Sequence, residues 1–286
     1  MSEAYFKFID KDWTYDGQEE KAYQKGAKLL DSGCIFSEFG TRRRRDYQTQ
    51  DLVLQGLLRA QNEASKKQWT GKVSGTSNVH FAMKHGLLPV GTVAHEWFMG
   101  VAAITNDYEN ANEIALRYWT ATFGEGVLGI ALTDTFGTPA FLKAFQKEIP
   151  DFTAAAPGPA TTQASSSATT SPDVQSLATT KPPIAAPISA DGTGKTAKTY
   201  ANVFTGVRQD SGDPLEFIRT MRGFYDQEGI KEKKTIVFSD SLNIELCLQY
   251  KNAAEEEGFQ PTFGVGTFLT SLYPGKGSMY ILTSRR

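Results

Sequence analysis

Seven times along these 286 residues a short apolar run stops at a glycine or a polar cluster, and six of the seven lead straight into a helical pattern. The runs end at Gly40, near Gly75, and at Ala94, Leu132, Val207, Phe238 and Phe263. Strands joined through helices need crossover connections, so repeated units of this kind build a parallel sheet. Residues able to do chemistry gather after the strands, which is the layout of a β/α barrel with its site at the C-terminal strand ends. A doubly wound open sheet shares this periodicity and stays open as a second α/β architecture.

The best-marked unit reads Val203-Phe204-Thr205-Gly206-Val207 as a buried strand, followed by Arg208-Gln209-Asp210-Ser211-Gly212-Asp213-Pro214. Asp213 suits an N-cap, with Pro214 at the first helical position and Glu216 at the third. Leu215, Ile218, Met221 and Tyr225 keep a helical spacing, and Gly229 stops it. A guanidinium fork, two carboxylates and a Ser-Gly corner thus face a helix start, where a phosphorylated anion is favoured. The plainer reading is an Arg208–Asp210 pair stapling a loop. Similar polar clusters at the other strand ends favour a ligand.

Cys34 to Gly40 reads as a strand, and Thr41-Arg42-Arg43-Arg44-Arg45-Asp46 then approaches a helix carrying Leu52, Val53, Leu57 and Leu58. Four consecutive arginines match a nuclear-localisation or nucleic-acid patch, but at a strand end they also suit phosphate oxygens. Gly75-Thr76-Ser77-Asn78 joins another strand to a helix, and Leu88 to Ala94 reads as a strand delivering His95-Glu96 to a first helical turn. His95 can act as nucleophile or base there, or sit as a buried, hydrogen-bonded histidine. His80 and His85 read as ordinary surface or packing residues.

Asp134, Asp210 and Asp240 follow three separate strands. Each can cap the next helix. Jointly they can orient sugar hydroxyls, hold Mg²⁺ directly or through water, or stabilise an oxocarbenium-like centre. Gly264-Val265-Gly266-Thr267 lets backbone N–H groups approach phosphate oxygens.

A hydrophobic fraction of 40% supports a genuine core, and a net charge of −2 gives no global pull toward nucleic acid or an acidic membrane surface. Two cysteines, Cys34 and Cys247, match no metal spacing and fit a reducing compartment. No apolar run approaches the ~20 residues of a membrane span, and Met1 to Phe6 lacks a signal-peptide layout. The expectation is a cytoplasmic protein, with the nucleus as a second compartment, binding neither membrane nor nucleic acid.

Residues 1–31 read as a helical lead-in, 32–270 as the barrel core, and 271–286 as an atypical tail. Between Ala154 and Ala190, 28 of 37 residues are Ala, Thr, Ser or Pro. Such a segment buries too little to offset its ordering entropy, so a disordered insertion is expected at about 153–198. Loop closure costs grow slowly with length, so one core can accommodate it.

Seven motifs occur in order: Ser37-Glu38-Phe39-Gly40-Thr41-Arg42-Arg43, Gly75-Thr76-Ser77-Asn78, Thr92-Val93-Ala94-His95-Glu96-Trp97, Leu132-Thr133-Asp134-Thr135-Phe136, Val207-Arg208-Gln209-Asp210-Ser211-Gly212-Asp213, Phe238-Ser239-Asp240-Ser241-Leu242-Asn243 and Phe263-Gly264-Val265-Gly266-Thr267. Together, from about Tyr5 to Thr270, they resemble the nicotinate phosphoribosyltransferases.

The resemblance implies an irregular, incomplete β/α barrel of the type II phosphoribosyltransferase kind. It implies joining nicotinate to phosphoribosyl pyrophosphate with Mg²⁺, coupled to ATP hydrolysis, to give nicotinate mononucleotide for NAD salvage. By motif position His95 would be phosphorylated by ATP and, with Asp134 and Asp210, be catalytic. Phe39 would stack on the pyridine ring, with Arg208 beside ring and carboxylate. Arg42 would contact phosphate, Asp134 and Asp240 the ribose and Mg²⁺ region, with Ser241 also binding substrate. Gly264, Gly266 and Thr267 would face the 5′-phosphate. The uncharged Ser77 suits an anionic carboxylate, where the related nicotinamide-using enzymes carry a repelling aspartate.

The family pattern also has an N-terminal domain, a homodimeric site and a longer C-terminal part, and lacks the insertion. A second expectation is therefore a catalytically incompetent chain that binds ligand or pairs with a full-length subunit. A different phosphate-binding barrel is a third.

Overall fold

The structure is a computed structural model and describes residues 2–150 and 198–270. Nearly all of the insertion at about 153–198, and the whole 271–286 tail, lie outside the described residues. Two helices lead, α1 (Ser2–Phe8) and α2 (Gln18–Asp31). They are followed by β1 (Ile35–Glu38), α3 (Tyr47–Lys67), β2 (Lys72–Thr76), α4 (Val79–His85), α5 (His95–Thr105) and α6 (Ala111–Phe123). Next come β3 (Ile130–Leu132), α7 (Thr138–Phe145), α8 (Tyr200–Val203), β4 (Gly206–Gln209) and α9 (Pro214–Gln227). The last described elements are β5 (Thr235–Phe238), α10 (Ile244–Glu256), β6 (Gln260–Val265) and α11 (Thr267–Thr270).

The six strands are all parallel, in the order β2-β1-β6-β5-β4-β3. β1 pairs with β2 on one side and with β6 on the other, so the sheet wraps the first strand against the last. A doubly wound sheet does not do this. Around the circle the strands run in sequence order with one seam, between β2 and β3. The fold is an irregular, incomplete β/α barrel.

The seam is where the strand read at Leu88–Ala94 departs from expectation. It forms an extended segment with a single bridge, Thr76 to Pro89, rather than a ladder. Proline lacks the N–H that a ladder needs. The segment still spans the gap: Val90 N donates to Thr76 O at 3.0 Å, and Val93 N donates to Ile130 O at 3.2 Å. Gly75 lets it close in, since a Cβ there would lie 2.1 Å from the Leu88 carbonyl oxygen.

The strand read at Val203–Val207 also shifts. Thr199 and Asn202 form a capping box that draws Tyr200–Val203 into α8, and the strand starts at Gly206. The buried Lys234 fixes that corner, donating to Asn202 O at 2.8 Å and Phe204 O at 2.9 Å. Arg208 and Gln209 are thereby the last two residues of β4 rather than its loop. The start of α9 is as read, with Asp213 Oδ1 accepting from Leu215 N at 2.7 Å and Glu216 N at 3.2 Å.

Phe36, Ile236, Phe238 and Phe263 from the strands meet Val53, Leu57, Phe141, Phe145 and Met221 from the helices in one buried core. Each such side chain contributes roughly 1.5–3 kcal/mol on burial, so the strand ends stand on a firm base. Among the described residues no helix is long and apolar enough to cross a membrane.

Candidate active site

Arg208 reaches the strand-end face from the penultimate position of β4, and its guanidinium is held on three sides. Nε donates to Ser239 Oγ at 2.8 Å, Nη1 to Thr92 Oγ1 at 3.1 Å and Nη2 to Asp210 Oδ1 at 2.9 Å. Thr92 belongs to the seam-spanning segment, so the segment that completes the barrel also orients the arginine. Ser239 Oγ lies 2.5 Å from Asp210 Oδ1 and 3.1 Å from the Gln209 carbonyl, and donates to one at a time.

Asp210 turns its other oxygen to His95, with Oδ2 3.2 Å from Nε2. His95 Nδ1 lies 3.1 Å from Thr135 Oγ1, so both ring nitrogens are engaged by groups from different strand ends. Burial disfavours the Asp210 charge, but Ser239, the Arg208 guanidinium and His95 together hold its carboxyl below the usual range. Asp134 approaches the same imidazole, its Oδ1 4.0 Å from Nε2. Ser211 Oγ donates to Asp134 Oδ2, while Oδ1 is buried with no hydrogen-bond partner.

Helix capping does not account for these aspartates. The N-caps of α7, α9 and α10 are Gly137, Asp213 and Asn243. His95, Asp134, Asp210 and Arg208 come together as one cluster. Asp240 does not join it: it is exposed, and its Oδ1 accepts from Ser241 Oγ at 2.8 Å. Ser241 is exposed too, in the left-handed region at φ 49°.

On the other side of the barrel end, Phe39 follows β1 and lies half-buried against β6. A Cβ on Gly264 would meet its ring carbons at 2.8 Å, and one on Gly266 would meet its carbonyl oxygen at 3.0 Å. These glycines therefore make room for Phe39, whatever they offer a phosphate. Thr267 opens α11 directly behind them.

Ser77 is exposed at the start of the β2–α4 loop, and its N–H donates to Glu38 O at 2.9 Å. Arg42 is exposed in the turn after Phe39. Its neighbours are used inside the protein: Arg44 pairs with Glu3 at 2.9 Å and donates to Gln50 at 2.9 Å, and the buried Arg45 lies over the Trp13 ring at 4.6 Å. Cys34 and Cys247 are buried, and burial pushes both thiols up, Cys34 to about 11, which makes them poor nucleophiles.

Sequence reasoning did not single out Thr92, Thr135, Ser211, Ser239 or Glu38 as site residues. Each lies inside a motif, but the four hydroxyls carry no spacing signal until strands are placed side by side, and the burial of Glu38 shows only once other elements cover it.

A model of the nicotinate phosphoribosyltransferase (NAPRTase) family matches residues 34–155 and 178–281. The chain belongs to this family. A Schizosaccharomyces pombe protein named as a probable nicotinate phosphoribosyltransferase is 43% identical over 272 residues, covering 95% of this chain and 54% of that protein. A Saccharomyces cerevisiae crystal structure bearing the same family name superposes with TM-score 0.72 at 41% identity, over 94% of this chain and 53% of that one. The nicotinate phosphoribosyltransferase of Porphyromonas gingivalis gives TM-score 0.69 at 29% identity, over 97% and 56%. The chain spans about half the length of the relatives it matches.

Among the described residues no group of three or more His, Cys, Asp or Glu is gathered into a metal cage. The buried, unpartnered Asp134 Oδ1 instead suits a Mg²⁺ that keeps most of its shell as water and substrate oxygens.

Proposed function

We propose that this chain carries the substrate-binding barrel of a nicotinate phosphoribosyltransferase, joining nicotinate to phosphoribosyl pyrophosphate for NAD salvage with ATP hydrolysis coupled. The observation that carries the reading is the Thr92–Arg208–Asp210–His95–Thr135 chain of contacts at the barrel end of a family member. A fixed guanidinium answers the anionic carboxylate of nicotinate, and the uncharged Ser77 does not oppose it.

Phe39 offers a ring face to the pyridine. The ring nitrogen of nicotinate would attack the anomeric carbon as pyrophosphate departs, and the side chains of Asp210 and Asp134 face the positive charge growing there. Mg²⁺, when bound beside Asp134, neutralises pyrophosphate charge. His95, with Asp210 on Nε2 and Thr135 on Nδ1, is the residue we assign as the phosphate acceptor from ATP. Arg42 and the Gly264-Gly266-Thr267 turn serve phosphate groups, and Asp240 with Ser241 the ribose. A homodimer in the cytoplasm completes the proposal.

The test is nicotinate mononucleotide formation by the purified chain given nicotinate, phosphoribosyl pyrophosphate, Mg²⁺ and ATP. Product that falls by about 100-fold or more in His95→Ala, with ATP stimulation gone, supports it. Product insensitive to both His95→Ala and ATP removes the phosphohistidine role. The half-length match to relatives favours a second reading, in which these residues bind ligand and turnover needs a fuller protein. A folded chain that binds nicotinate without turnover selects it.

A further inference from the structure

Glu38, the last residue of β1, is fully buried, where an ionisable side chain is costly unless well partnered. Three donors converge on it. Gly40 N donates to Oε1, while Gln50 Nε2 at 2.8 Å and Thr76 Oγ1 at 2.7 Å donate to Oε2. Its backbone carbonyl is also used, accepting from Ser77 N at 2.9 Å.

The donors belong to different elements. Gly40 lies in the β1–α3 loop directly after Phe39, Gln50 sits in the first turn of α3, and Thr76 ends β2 immediately before Ser77. The network continues outward. Gln50 Nε2 donates to Thr41 Oγ1 at 2.8 Å, Asn78 Nδ2 donates to Thr41 Oγ1 at 3.0 Å, and Arg44 Nη1 donates to Gln50 Oε1 at 2.9 Å. Thus one carboxylate ties the loop that presents Phe39 and Arg42 to the loop that presents Ser77.

Burial pushes the Glu38 carboxyl up, while Thr76, Gln50 and the Gly40 N–H favour its ionised form, and three donors shared between two oxygens call for acceptor character on both. Arg44 fixes the Gln50 amide with its oxygen outward, so the Gln50 NH₂ must face Glu38. An amide at position 38 would set an NH₂ against either Gly40 N–H or the Gln50–Thr76 pair. One donor is then unanswered whichever way it turns, and a buried unanswered donor is costly.

We propose that Glu38 is a positioning residue that fixes Phe39 and Ser77 relative to one another, and so sets how the barrel takes its planar, anionic pyridine ligand. The inference rests on the reading of the site as a nicotinate site, and its test separates the two. Glu38→Gln conserves shape, removes the charge and replaces one acceptor oxygen with an NH₂ donor.

The experiment is amide hydrogen exchange of the full 286-residue chain, wild type against Glu38→Gln, together with nicotinate binding and phosphoribosyl pyrophosphate binding. Gly40 and Ser77 should lose protection by roughly tenfold, while Val207 in β4 and Val237 in β5 keep theirs. Nicotinate should bind about tenfold more weakly, with phosphoribosyl pyrophosphate weakened less, since of its assigned contacts only Arg42 lies on these loops. Glu38→Asp, which restores a carboxylate one methylene short, should recover part of both. Unchanged protection at Gly40 and Ser77 overturns the proposal, as does an equal loss at Val207 and Val237, which would mark a purely structural role. A wild-type chain that binds no nicotinate defeats the nicotinate reading alone, and the exchange pattern still decides the coupling.

Discussion

On the β3–β5 side of the barrel end, Arg208, Asp210 and His95 are each partly exposed and hold one another through charge. On the β1–β2 side, Glu38 is fully buried and holds backbone and uncharged side chains. The first arrangement keeps charged groups open to a ligand and tolerates their partial solvation. The second gives up that access to fix two loops. An exposed ion pair contributes little to stability, while a buried carboxylate with three donors is expensive to disturb. Function should therefore be most sensitive on the first side and local geometry on the second.

Arg208→Ala tests the charged side and should have the largest effect. It removes the guanidinium that would meet the nicotinate carboxylate and leaves Asp210 with Ser239 and His95. Loss of a partly desolvated charge pair costs about 2–5 kcal/mol, so nicotinate binding by calorimetry should weaken roughly 30- to 1000-fold. Arg208→Lys keeps the charge but cannot reach Ser239, Thr92 and Asp210 with one planar fork, and should recover little. Nicotinate affinity that survives Arg208→Ala would place the carboxylate elsewhere and dissolve the contrast between the two sides.

Gly264→Ala probes the β1 side through packing instead of charge, with an intermediate effect. The new methyl would stand 2.8 Å from the Cδ2 and Cε2 atoms of Phe39, against a ring with no flexible end to yield. Overpacking of this kind costs about 1–3 kcal/mol. The melting temperature should fall, and nicotinate binding should weaken with it because Phe39 is displaced. An unchanged melting temperature would show that the ring moves freely, and that Glu38 and its partners do not fix the loop.

The pattern of strands and helices was legible because apolar runs, glycines and caps act locally. Asp213, Pro214 and Gly229 marked α9 without any tertiary information. The barrel itself was not separable from an open sheet, since only the pairing of β1 with β6 distinguishes them. Leu88–Ala94 carried a strand's composition, yet Pro89 and its place across the seam reduced it to one bridge. Arg208, Asp210, His95 and Asp134 were legible as candidates because they are ionisable groups at strand ends, and the structure brings them together. Thr92, Thr135 and Ser239 were not, because a hydroxyl gains meaning only from the charged neighbour that another strand supplies. Glu38 alternates inward on β1 and looked like any strand residue; its burial emerges only when β2 and α3 cover it.

The smallest effect expected concerns acid stability, and it returns to Asp210. Ser239, Arg208 and His95 make its carboxyl more acidic in the folded chain than in the unfolded one. The ionised form therefore stabilises the fold at pH values above the ordinary carboxylate range, and that contribution is lost as pH falls through the folded value. Asp46, the N-cap of α3, and Asp51 within α3 are also held low despite burial, Asp46 by Tyr15 and Thr49 and Asp51 by Lys84 and His85. Wild type will thus lose stability in acid from both sides of the molecule. Asp210→Asn keeps the contributions of Asp46 and Asp51 and removes one, so the informative quantity is the difference between the two denaturation curves. That difference should be present at neutral pH and shrink as pH falls below about 4, the ordinary carboxylate range. A difference that stays constant down to pH 3 would mean the Asp210 charge adds nothing to folding, and that its contacts with Arg208 and His95 serve the ligand alone.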